Sequence, residues 1–201
     1  MREIVPGIHH WTALHEGIGL EVSSYWVEPA AALLDPMLPA EGLEWWEGRP
    51  RPERILLTNR HHDRHSARFV EAFGCEVRCS EPGLHEFAGT ERRVSGFEWG
   101  EEAAPGITAL EVDAICPDEA ALLVAVGDGA LACADGLVRF GGPLGFVPDH
   151  LLGDDPEAVK TGLRAAYGAL LEHDFAHLLL AHGDPVVGEG KAALRAFLRS
   201  S

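Results

Sequence analysis

Residues 56–69 read LLTNRHHDRHSARF. The apolar run RILLT (54–58) predicts a short buried strand. HSARFVEAFG (65–74) predicts a helix, with Ser66 near its start, Val70 and Phe73 on one face and Gly74 as its stop. Three histidines, an aspartate and two arginines therefore crowd the joint between a strand and a helix. Strand ends in a helix-covered sheet are where side chains from distant parts of a chain converge on a cleft. Working outward, Asp35 follows AAALL, Asp135 follows ALACA and His182 follows HLLLA. One such residue is ordinarily a turn-former or a cap. Four strand ends carrying His or Asp predict a site.

The flanking sequence supplies the elements. SSYWVEP and AAALLDP read as a hairpin ending at Asp35-Pro36, and LPAEGLEWWEGRPRPE as a surface connection. CEVRCS, ITALEVDAICP, AALLVAVGDG, ALACADG and HLLLAHGDP alternate apolar runs with turn residues, as strands of a covered sheet do. VRFGGPLGFVPDHLLG has no period and reads as a loop. DDPEAVKTGLRAAYGALLEH is a helix capped by Asp154 or Asp155, with Pro156 in its first turn and Val159, Leu163, Tyr167 and Leu170 as its apolar stripe. GKAALRAFLRS closes the chain as an amphipathic helix.

With 201 residues, 46% of them hydrophobic, the chain is long enough for one sizeable core and short for two, so residues 1–201 are expected to form a single domain. Sixteen basic against 32 acidic side chains leave a net charge of −16, which repels nucleic acid. No long apolar run or secretory leader is visible, so the expected location is the cytoplasm, with no membrane partner and the four cysteines reduced. The expected partner is a small-molecule substrate. Trp45 and Trp46, if exposed, would supply a homodimer interface; otherwise they pack under their own loop.

In order and spacing, SSYWVEPAAALLDP, ILLTNRHHDRHS, AICPDEAALLV, LACADGLV and LLLAHGDP together resemble the successive motifs of the metallo-β-lactamase fold superfamily, from about residue 22 onward. The resemblance implies an α+β (α/β) four-layer αββα sandwich with a metal site at one edge of its two sheets. The family's His-x-His-x-Asp-His motif is matched by Asn59-Arg60-His61-His62-Asp63-Arg64, its later histidine by Ile115, its Gly-Asp motif by Ala134-Asp135 and its last histidine by His182. The first metal position would keep only His61 and Asp135, too few ligands for tight zinc binding. The second would keep Asp63, Asp135 and His182, with Arg64 in place of a histidine, and Asn-x-His-x-Asp-Arg also looks like the pattern of the mono-zinc subclass.

The resemblance thus implies at most one ion, zinc or else iron or manganese, and hydrolysis of an ester, thioester, lactone, amide or phosphoester. His61 would deprotonate water, Asn59 would donate a hydrogen bond, and Arg64 or Arg60 would meet substrate. The alternative is a metal-free binding or scaffold domain in which Arg64 or Arg60 pairs with Asp63 or Asp135 and replaces the ion by a salt bridge.

Overall fold

The computed structural model describes residues 1–200. The first sheet runs in chain order: β1 (Arg2–Val5), β2 (Ile8–His15), β3 (Leu20–Val27), β4 (Ala32–Leu34), β5 (Arg54–Leu56), β6 (Glu76–Ser80) and β7 (Val94–Phe97). The second has the order β12 (His177–Leu180), β11 (Ala130–Cys133), β10 (Ala120–Val124), β9 (Ile107–Glu111) and β8 (Glu102–Ala104). Three helices complete the chain: α1 (Ser66–Phe73), α2 (Pro156–Leu170) and α3 (Gly190–Ser200).

The two-residue period of a strand decides the layering. In the first sheet Ala32, Leu34 and Leu56 face the second sheet, meeting Ile107, Ala109, Leu122 and Ala132. Their neighbours Leu33, Ile55 and Leu57 point the other way, onto Phe69 of α1 and Trp46. In the second sheet Leu131, Cys133, Leu178 and Leu180 turn outward onto Leu163, Tyr167 and Leu170 of α2 and Leu194 of α3. Both faces of each central strand are covered, so the strands read as unbroken apolar runs. The result is the four-layer αββα sandwich, and full burial of Phe69 and Trp46 contributes about 2–3 kcal/mol each.

Local chemistry agrees with these elements. The Asp155 carboxylate accepts from Ala158 N at 3.0 Å to cap α2, and Gly74 ends α1 with a φ of 73°. Trp46 is buried against Trp11, Trp26 and Phe69, and Trp45 packs on Trp46 and His9, so this pair sits under its own loop. The stretch 138–152 is largely irregular, tied down by bridges from Val138 to Gly145 and from Arg139 to Gly183. No described helix is long and apolar enough to cross a membrane.

Candidate metal centre

Strand register builds the site. Parallel β11 and β12 pair Cys133 with Leu180, so Asp135 and His182, each two residues further on, emerge side by side. Parallel β4 and β5 likewise bring Asp35 beside Thr58. Asp35 takes a left-handed φ of 47°, a conformation aspartate tolerates better than most residues, and its carboxylate turns back onto the strand ends. It accepts from Thr58 N at 2.8 Å and from Thr58 Oγ1 at 2.6 Å.

A 3-10 turn over Arg60–Asp63 follows, capped by Asn59, whose side-chain oxygen accepts from His61 N at 2.9 Å. Within that turn His62 has the non-helical angles φ −87°, ψ 18°. This rolls His62, and not His61, inward. His62 Nδ1 lies 3.0 Å from Asp35 Oδ2, and its Nε2 lies 3.1 Å from Asp135 Oδ1. His182 Nε2 reaches the same Asp135 oxygen at 2.8 Å, while Asn59 Nδ2 donates to Asp135 Oδ2 at 2.8 Å.

Charge follows from this packing. Burial alone would depress the His62 pKa, but the carboxylates of Asp135 and Asp35 outweigh it and hold it up at about 9. Burial would raise the carboxyl of Asp135, yet His62 and His182 push it well below the usual range. Asp35 is lowered in the same way against its own burial, chiefly by His62.

The four ligand positions expected from the sequence divide. Asp135 and His182 converge. Asp63 does not join them: it points away and pairs with Arg92, because the 3-10 turn carries it past the cleft. His61 is exposed and lines the mouth of the cleft. His62, to which the sequence gives no role, is the residue that joins Asp135 and His182. Neither arginine forms the expected salt bridge with Asp63 or Asp135. Arg60 pairs with Asp118, and Arg64 Nη1 donates to the carbonyls of Ser23 at 2.7 Å and Asp35 at 2.8 Å. Arg64 is held at φ 43°, ψ −117°, a costly conformation for a side chain with a Cβ. His65 accepts from Leu38 N at 3.0 Å and anchors the loop after Pro36.

Two buried acids also escaped the sequence reading. Asp118 accepts from Arg60 N at 2.7 Å. Glu119 accepts from Gly136 N at 2.8 Å and from Ile115 N at 3.3 Å, and its burial pushes its carboxyl up to about 7. Side by side, they tie the Ile115 loop to the His62 turn and to the Asp135 turn. The signal was two adjacent acids entering a buried strand.

No family model and no curated protein matches the chain. Solved structures do. The crystal structure of the DIM-1 metallo-β-lactamase superposes with a TM-score of 0.73 at 12% identity, covering 98% of this chain and 95% of that one. A metallo-β-lactamase family protein of Thermus thermophilus, TTHA1429, gives 0.67 at 16% identity over 98% and 80%. The chain has the metallo-β-lactamase fold. TTHA1623 in a di-iron-bound form gives 0.68 at 22% identity, over 90% of this chain and 96% of that one.

Whether a metal suits this metallo-β-lactamase-fold chain turns on its donor set. One atom each from His62, Asp135 and His182 lie within 4.8 Å of one another. Ligands about 2.1 Å from one tetrahedral ion sit about 3.4 Å apart, so contacts of 3.1 and 2.8 Å need only small adjustment. The imidazole of His62 is backed at Nδ1 by a carboxylate, the arrangement that orients a metal-ligating histidine. The residues fit one ion with open positions, and two histidines with one carboxylate suit zinc or iron.

Proposed function

We propose that the chain is a hydrolase working with one metal ion held by His62, Asp135 and His182. The observation that carries this reading is the Asp35–His62 contact, which leaves His62 Nε2 directed at Asp135 and His182. The metals of its structural neighbours support the ion, as a di-iron-bound form occurs among them. When bound, the ion supplies Lewis acidity, polarising a carbonyl or phosphoryl oxygen and acidifying water.

The chain's own residues do the positioning. Asp35 and Thr58 fix the ring plane and tautomer of His62. Asn59 holds Asp135 Oδ2, so that Oδ1 faces the imidazoles. His61, exposed at the mouth of the cleft, receives or returns the proton of the attacking water through a ring nitrogen. Arg64 stands beside Asp35 and Asp135, its burial lowering its pKa against the attraction of the two carboxylates, while its Nη1 holds the backbone.

A second reading has one observation in its favour. With its pKa held at about 9, His62 is an imidazolium at neutral pH, and it can itself be the cation between Asp35 and Asp135. Elemental analysis of protein purified without chelator separates the two. The hydrolase reading expects near-stoichiometric zinc, iron or manganese, lost in Asp135→Ala. Less than about a tenth of an ion per chain after metal supplementation overturns it.

A further inference from the structure

Seven large apolar side chains stand exposed among the described residues, and four of them line one cleft. Ile18 and Leu20 are 53% and 49% exposed, Phe140 and Leu151 57% and 58%. The cleft has a volume of about 820 Å³, and its floor is His62, Asp135 and His182. A contiguous exposed apolar surface of this kind marks a binding site.

Its two walls come from distant parts of the chain. β4 pairs with only Tyr25–Val27 of β3, so the outer part of the β2–β3 hairpin projects past it as an arm with Ile18 and Leu20 near its tip. The irregular segment 139–152 forms the opposite wall with Phe140 and Leu151. Ile115 adds an apolar side chain near the floor.

We infer that this cleft binds a monomeric substrate through a neutral, apolar acyl group, which the hairpin arm and the Phe140–Leu151 wall grip while its carbonyl reaches the floor. The inference rests on the hydrolase reading for the reaction, in which water adds to the acyl carbon, the bond to the leaving oxygen, sulfur or nitrogen breaks, and the leaving atom takes a proton. The volume is that of a small-molecule site, about 300–1,000 Å³, with few polar groups converging at its base. A phosphoester is disfavoured because Arg64 is the one Arg or Lys in the lining, its Nη1 is held by the Ser23 and Asp35 carbonyls, and its unpartnered Nη2 is buried, which leaves one donor and no bidentate fork for a phosphoryl group. A lipid surface is disfavoured by a net charge of −16 and a rim without lysine.

Binding of 2-alkanones from about four to about ten carbons, followed by NMR chemical shifts, tests this without turnover or metal. Kd is expected to fall about two- to four-fold per added methylene, with shifts at Ile18, Phe140 and Leu151. Ile18→Ser and Phe140→Ser should each flatten the series, while Val70→Ser, an exposed apolar change on α1, should leave its slope unchanged. A Kd independent of chain length, a slope insensitive to both cleft variants, or shifts confined to residues outside the cleft overturns the inference. Co-sedimentation with phosphatidylcholine vesicles lost in Ile18→Ser overturns it in favour of a membrane. Absence of metal and turnover sinks the hydrolase reading alone, because ketone binding is read separately.

Discussion

The carboxylate of Asp35 lies 3.0 Å from Nδ1 of His62, and both groups are almost wholly out of solvent. Together with Thr58 Oγ1, 2.9 Å from the same nitrogen, this contact sets which nitrogen of His62 faces Asp135. Replacing Asp35 by Asn exchanges a charge-assisted bond for a neutral one and weakens that orientation. Asp35→Asn is expected to lower metal affinity about 10- to 100-fold, measured by competition with a chelator.

The ligand assignment predicts an asymmetry among neighbouring substitutions. His62→Ala, Asp135→Ala and His182→Ala should each abolish stoichiometric metal binding. Asp63→Ala should leave it intact, removing only the partly exposed pair with Arg92 at a cost of about 1 kcal/mol. Metal content measured on the four purified variants checks this, and metal retained in His62→Ala but lost in Asp63→Ala, Asp135→Ala and His182→Ala would reinstate the ligand set expected from the sequence.

Without metal, stability should depend on pH in two limbs. The pKa of His62 is raised from 6.5 to about 9, so its contribution is complete below about pH 6.5 and disappears as pH rises through 9. Asp35 and Asp135 are lowered, so their contribution is present above their usual carboxylate range and is lost as pH falls below it. The alkaline limb is worth about 3 kcal/mol at most, and His62→Gln should remove it from urea-unfolding curves taken between about pH 6 and 10. Metal binding near pH 7 should release a proton from His62, detectable as a buffer-dependent binding enthalpy.

Glu119 should matter to a site it does not touch. Glu119→Ala leaves the N–H groups of Gly136 and Ile115 without their acceptor, a cost of about 2–4 kcal/mol, and frees the turn carrying Asp135. Glu119→Gln keeps one acceptor oxygen and should recover most of the metal affinity that Glu119→Ala loses. A purely structural role would lower the melting temperature in both variants without separating their affinities for metal.

The layers were legible because their signal is local. Leu33, Ile55 and Leu57 alternate with Ala32, Leu34 and Leu56, and that pattern exists in the sequence before any contact is made. The first two strands were harder to read, since IHHWTALH mixes histidines into a strand whose residues alternate less cleanly between buried and exposed. Asp135 and His182 were legible because each directly follows an apolar run. The choice between His61 and His62 was not, because it depends on the rotation of one 3-10 turn. Asp63 was misplaced for another reason: its partner Arg92 is 29 residues away, and no spacing rule reaches that far.

The three side chains proposed to hold the ion do not belong to one sheet. His62 hangs from the end of β5, whereas Asp135 and His182 hang from β11 and β12 of the facing sheet. A bound ion would act as a rivet through the sandwich, making separation of the two sheets contingent on ion release. Slow amide exchange in Leu56–Thr58 and Leu131–Cys133 should then be lost together on chelation, as two halves of one cooperative unit.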